Sequence, residues 1–133
     1  VSVAMGQIGN SGGQKFWSWY GFDSRVEWCA CFASWCAEQS GMVASGQVLK
    51  FSSCAVGASW FQGQGRWKGK GYTPSAGDFI FFDWNKDGQV DHVGIVVNVA
   101  NGRVNTIEGN TSNMVARRSY QFGGIVIVGY GYI

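Results

Sequence analysis

The chain contains one histidine, His92, and four cysteines, Cys29, Cys31, Cys36 and Cys54. A thiol and an imidazole are the minimal parts of a nucleophilic cysteine mechanism, in which the thiolate attacks and the imidazole moves protons. Any such mechanism here must use His92. Among the thiols, Cys29 falls in the first turn of an expected helix, where the macrodipole and unpaired N–H groups favour a thiolate. Cys31 and Cys36 lie deeper in that helix and read as small buried hydrophobes. Cys29 and Cys36 stand two turns apart, about 10 Å, too far for a disulfide. A bond from Cys54 to Cys31 or Cys36 is sterically open but not required. The paired CxxC spacing of a zinc site is absent.

A third polar group normally orients the imidazole. Glu108 and Asn110, in Thr106-Ile107-Glu108-Gly109-Asn110 at the end of an expected strand, are the candidates.

The elements that must position these groups are legible in the periodicity. Glu27 to Ser40 predicts the clearest helix, with Gly41 as its stop and an N-cap in the Asp23–Ser24 region. Trp28, Phe32 and Trp35 form one stripe, and Ala30, Ala33, Ser34 and Ala37 a face of small residues. Such a helix is central and buried. A short helix is expected over Val1 to Ile8, and a loop or helical turn over Lys15 to Tyr20. A further helix is expected over Phe51 to Phe61, capped by Ser52 or Ser53. Gly63 to Gly71 reads as a polar, glycine-rich loop. After Pro74, five β-branched or aromatic runs predict strands: Asp78–Trp84, Val93–Val99, Val104–Glu108, Val115–Tyr120 and Ile125–Tyr132. Asn101-Gly102 is a hairpin turn. His92 stands at the mouth of the second strand. The fold class is α+β, with N-terminal helices packed on an antiparallel meander of about five strands.

Composition narrows the partners. The 133 residues suit a single domain, and 46% hydrophobic against 14% charged residues can bury a core. A net charge of +2 with no Lys/Arg run argues against nucleic acid. No run approaches the ~18 apolar residues of a membrane span. The N-terminal segment lacks the charged and apolar regions of a signal peptide, and the chain begins with Val1. The expectation is one catalytic domain, residues 1–133, excised from a larger protein that carries the targeting information, and monomeric. No organic cofactor is implied.

Asp83-Trp84-Asn85-Lys86-Asp87-Gly88-Gln89-Val90-Asp91 matches the first nine positions of an EF-hand-type loop. Oxygen ligands would come from Asp83, Asn85, Asp87, Gln89 (backbone) and Asp91, with Gly88 at the turn. Position twelve is Gly94 where Glu is usual, and no helices flank the loop. A polar turn explains the same residues. Calcium, if bound, would order the loop that presents His92.

Four ordered blocks then resemble the CHAP domain, the cysteine, histidine-dependent amidohydrolase/peptidase family. They are Trp28-Cys29-Ala30-Cys31-Phe32-Ala33-Ser34-Trp35-Cys36, Pro74-Ser75-Ala76-Gly77-Asp78-Phe79-Ile80-Phe81-Phe82, Asp91-His92-Val93-Gly94-Ile95-Val96 and Glu108-Gly109-Asn110. The resemblance covers nearly the whole chain. It implies a papain-like fold, Cys29 as nucleophile, His92 as base, Glu108 as its orienting group and Asn110 as an auxiliary polar group. It also implies cleavage of bacterial cell-wall peptidoglycan, at the muramoyl–L-alanine amide or within stem peptides and cross-bridges. The site of action would be extracellular or in the wall. Many phage-lysin members carry Gln before the nucleophile, where this chain has Trp28, so the Cys29 backbone N–H is the default oxyanion donor. The Gly-Gly-Gln-Lys-Phe-Trp-Ser-Trp-Tyr-Gly-Phe segment and the closing Gly-Tyr-Gly-Tyr look most like clostridial members. Trp19, Tyr20, Trp60, Trp67 and Trp84 are expected to line the substrate cleft. Two other readings use the same residues: a papain-like cysteine enzyme with a non-wall amide substrate, and a non-catalytic wall-binding module with an aromatic platform.

Overall fold

The computed structural model describes all of residues 1–133. Four helices precede the sheet: α1 (Ser2–Met5), α2 (Gln14–Tyr20), α3 (Cys29–Gln39) and α4 (Cys54–Gly63). Six strands follow: β1 (Trp67–Gly69), β2 (Phe79–Phe82), β3 (His92–Ala100), β4 (Arg103–Thr111), β5 (Met114–Gln121) and β6 (Ile127–Gly131). They form one sheet in the order β1-β6-β2-β3-β4-β5, with every pairing antiparallel.

The α+β class with an antiparallel sheet is as expected, and two features refine it. The sheet has six strands, not about five, because Trp67–Gly69, read as part of a loop, pairs with β6. Three residues are too few for an alternation to show. The connectivity is also not a simple meander. β2 to β5 follow one another, but β6 returns to lie between β1 and β2.

α3 is the central element. Every residue from Cys29 to Ala37 is buried. Phe16 of α2 stacks on Trp28 at 5.7 Å and meets Phe32 and Trp35 edge-on at 4.9 and 5.2 Å. Trp28 is fully buried, and its Nε1 donates to Asn113 Oδ1 at 3.2 Å. The indole lies against the backbone of Gly13, where a Cβ would stand 2.1 Å from the ring and φ is +66°. Only glycine fits there. Truncating Trp28 to Ala would cost about 3–5 kcal/mol.

The sheet is apolar on both faces. Phe79, Phe81, Val93, Ile95 and Ile107 join the α3 side. Ile80, Phe82, Val96, Val104, Ile127 and Tyr130 form a smaller cluster on the other side. Alternation along β2 and β3 generates both sets. His92 pairs with Phe82 across the strands and so starts β3 on the second face. No helix is long and apolar enough to cross a membrane.

Candidate active site

Cys29 is the first residue of α3, and Trp28 is the N-cap. The expected cap at Asp23 or Ser24 lies in an irregular segment ahead of the helix. The first intrahelical bond runs from Phe32 N to Trp28 O at 2.9 Å. The N–H groups of Cys29, Ala30 and Cys31 therefore have no partner within the helix, and the positive end of the macrodipole lies at the Cys29 sulfur.

Cys29 and His92 line one cleft of about 390 Å³, with Glu27, Trp84, Asp91, Asn110, Thr111 and Ser112. His92 Nε2 lies 2.9 Å from Glu108 Oε1. That leaves Nδ1 to serve the thiol. Glu108 is completely buried, and its Oε2 accepts from Thr106 Oγ1 at 2.5 Å and Tyr120 Oη at 2.7 Å. Three donors thus satisfy a carboxylate that would otherwise be costly to bury. Gly94 makes room for it: a Cβ there would lie 2.6 Å from Glu108 Cγ.

The environment separates the four thiols. Cys29 sits well below the ordinary thiol value, foremost through its hydrogen bond with Cys54. Burial opposes this, and the hydrogen bond and charge of His92, with the Val93 amide, reinforce it. Burial pushes Cys31 up to about 11 and Cys36 up to about 12, the Cys29 charge adding to the first. Cys54 is also raised, by its hydrogen bond to Cys29, then burial, then the Cys29 charge. His92 is pushed up to about 9: burial works against the imidazolium, but hydrogen bonds and charges of Cys29 and Glu108 outweigh it. These shifts run in the direction that favours a thiolate at Cys29 beside an imidazolium at His92, and of the four thiols only Cys29 is lowered.

Asn110 borders the cleft but is held elsewhere. Its Oδ1 accepts from Arg25 Nη2 at 2.8 Å, and its Nδ2 donates to Glu27 Oε2. Of the two groups considered as the imidazole's orienter, Glu108 makes the contact.

Of the five aromatic residues expected along the cleft, only Trp84 lines it. Its ring stacks on Phe82 at 4.7 Å and stands 5.6 Å from His92. Trp19 and Tyr20 lie under Lys50, Trp60 under Arg66, and Trp67 against Phe81. These four pack against the main core and fill gaps between elements.

The Asp83–Asp91 loop is closed by its own amides. Asp83 accepts from Asp87 N and Gly88 N, Asp87 from Gln89 N, and Asp91 from Trp84 N. No three acidic, His or Cys groups converge as metal ligands. In this arrangement the carboxylates of Asp83, Asp87 and Asp91 accept amide hydrogen bonds from within the loop that also carries Asn85 and Gln89. Asp91 N also bonds Phe82 O at 2.9 Å, which closes the loop directly before His92.

Thr106 and Tyr120 are site residues that the sequence does not single out, and Cys54 meets Cys29, at 3.4 Å, instead of Cys31 or Cys36, the partners the sequence left open. Thr106 carried a signal, since positions two apart on a strand share a face with Glu108. Tyr120 needs the β4–β5 register, in which it sits opposite Val104.

The CHAP domain family's sequence profile matches residues 19–110, which include Cys29, His92, Glu108 and Asn110. The chain belongs to the CHAP domain family. Among solved structures it is similar to Ly7917 with the hydrolyzing product of MDP, at 22% identity and a TM-score of 0.52 over 77% of this chain and 52% of that one. It is also similar to a second Ly7917 structure, at 18% identity and a TM-score of 0.58 over 96% of this chain and 58% of that one. At those identities the likeness is one of fold, which is papain-like. The chain spans little more than half the length of those proteins. No curated protein matches it.

Proposed function

We propose that this domain is a peptidoglycan hydrolase that cleaves an amide bond with Cys29 as nucleophile. The observation that carries this reading is the order Cys29, His92, Glu108: a thiol at a helix N-terminus, an imidazole in the same cleft, and a buried carboxylate 2.9 Å behind it. The Cys29 thiolate attacks the amide carbonyl. The N–H groups at the start of α3 stabilise the oxyanion. His92 then protonates the leaving amine, and water, deprotonated by His92, hydrolyses the thioester. Glu108 keeps the ring oriented and its charge compensated. The Ly7917 structure that holds a hydrolysis product of MDP supports a wall-derived substrate for this fold. The place of action under this reading is the cell wall or the medium outside it, and the protein acts as a monomer.

The bond is either the muramoyl–L-alanine amide or one within the stem peptide or cross-bridge. Mass spectrometry of fragments released from purified peptidoglycan decides between them. Stem peptides with a free L-alanine amino terminus identify an amidase. New internal or cross-bridge termini identify an endopeptidase. No fragment from several wall chemotypes would turn the reading toward a cysteine enzyme with a non-wall amide substrate.

Calcium at Asp83–Asp91 is a separate proposal, supported by the order of oxygen-bearing residues alone. A cation there would have to displace the amide hydrogen bonds to Asp83 and Asp91. Titration calorimetry should show heat on calcium addition; its absence, with activity indifferent to a chelator, would remove it.

A further inference from the structure

The mechanism leaves one thiol unused at the reacting centre. Cys54 is the first residue of α4, as Cys29 is of α3, so two helix N-termini bring two sulfurs together. Their Sγ atoms are 3.4 Å apart, and both residues are buried, at 5% and 8% exposure. The approach is built by the fold. Ser34 Oγ in α3 donates to Phe51 O at 2.6 Å and accepts from Phe51 N at 2.9 Å, which anchors the chain just ahead of α4. Ser53 then caps α4 by accepting from Val56 N. Cys31 and Cys36, on the same helix as Cys29, make no sulfur contact with each other or with Cys54, and all four cysteines are free.

We infer that Cys54 is a resolving cysteine, which converts peroxide-oxidised Cys29 into a reversible Cys29–Cys54 disulfide. The inference rests on Cys29 being the reactive thiolate of the proposed function. In the first step the Cys29 sulfur attacks a peroxide oxygen. An S–O bond forms, the O–O bond breaks, and the departing hydroxide takes the proton of the His92 imidazolium and leaves as water. Cys29 is oxidised by two electrons to the sulfenic acid, and the peroxide is reduced. In the second step the Cys54 sulfur attacks the sulfenic sulfur. The S–S bond forms, the S–O bond breaks, and hydroxide leaves as water with the Cys54 proton. The sulfurs close from 3.4 Å to a bond of about 2.05 Å. The hydrogen bond and the negative charge of Cys29 both hold the Cys54 proton in the reduced state. Oxidation of Cys29 to a neutral sulfenic acid removes that charge, which frees Cys54 to react. A dithiol reductant restores both thiols by exchange. The disulfide protects the nucleophile from sulfinic and sulfonic acid, and silences the enzyme while it lasts.

The test treats the purified domain with equimolar hydrogen peroxide and measures intact mass, free thiols and linked peptides. The mass should fall by two hydrogens, the free thiols should drop from four to two, and digestion should yield a Cys29–Cys54 peptide. Addition of dithiothreitol should reverse all three. Oxygen addition at Cys29 without a linked peptide, or a link through Cys31 or Cys36, would overturn the inference. In Cys54→Ser, Cys29 should gain oxygen beyond the reducible state, and dithiothreitol should no longer restore it. Reversibility equal to wild type would also overturn it. The mass readout is independent of wall cleavage. A disulfide without hydrolysis would therefore sink the proposed function alone, and hydrolysis without the disulfide would sink the resolving role alone.

Discussion

Nε2 of His92 lies 2.9 Å from Oε1 of Glu108, which has no exposed surface. A buried carboxylate in that position fixes the ring, fixes the tautomer when the ring is neutral, and stabilises the imidazolium that pairs with the Cys29 thiolate. Glu108→Gln retains the shape and removes the charge. It should lower kcat by on the order of 10²–10⁴-fold, in line with the loss of an orienting acid in comparable triads. Glu108→Asp, one methylene shorter, should recover part of this. Full activity in Glu108→Gln would show that Glu108 does not position the base.

The pH behaviour follows from the same pair. His92 is the only histidine, so its ring resonances titrate without overlap. Its folded value is raised from 6.5 to about 9. A group raised on folding stabilises the fold fully below its unfolded value. That contribution is thus present below pH 6.5 and is lost as the pH rises through about 9. Activity should fall in the same alkaline window, as the imidazolium loses the proton it gives the leaving amine. In Cys29→Ala the thiolate's hydrogen bond and charge vanish while burial remains, so the NMR midpoint should move down. An unchanged midpoint would mean that the two side chains do not share a proton.

Tyr120 and Thr106 complete the satisfaction of Glu108. Tyr120→Phe keeps the ring against Phe82, 4.8 Å away, and deletes one donor to a buried charge. It should cost about 1.5–3 kcal/mol in thermal or denaturant unfolding. It should lower kcat less than Glu108→Gln does, and shift the His92 midpoint. Wild-type stability in this variant would show that the 2.7 Å contact contributes nothing.

Gly94 tests the packing behind the dyad. Its missing side chain is the space that Glu108 occupies, since a Cβ would approach Glu108 Cγ to 2.6 Å. Gly94→Ala should destabilise the fold by about 1–3 kcal/mol through overpacking and displace the carboxylate. Activity should fall in step with a lowered His92 midpoint. A variant with normal activity and midpoint would mean that Glu108 can relocate without consequence.

How much of this was legible in the sequence depended on whether the information was local. The buried helix α3 is written in the 3.6-residue stripe of Trp28, Phe32 and Trp35, and the Asn101-Gly102 hairpin in its turn residues. Glu108 and Asn110 look alike in sequence as polar groups at a strand end, and their difference arises from long-range partners: Arg25 and Glu27 hold Asn110, and His92 reaches Glu108. The Cys29–Cys54 approach depends on how α4 docks on α3, which neither helix encodes alone. A Trp that fills a gap and a Trp that lines a cleft look alike in sequence, so the aromatic residues do not declare which of the two they do. Trp19, Trp60 and Trp67 pack against the core, and Trp84 alone faces the site. The loop at Asp83 to Asp91 shows a similar ambiguity, since the residues that could hold a cation are also those that cap a turn.

The central claim is that the Cys29 thiolate cleaves the wall. The most direct measurement compares wild type with Cys29→Ala on purified peptidoglycan, with circular dichroism to show that both are folded. The account predicts release of amide-cleavage fragments by wild type and none above background by Cys29→Ala at equal helical and strand content. Fragment release by a folded Cys29→Ala domain at the wild-type rate would contradict it.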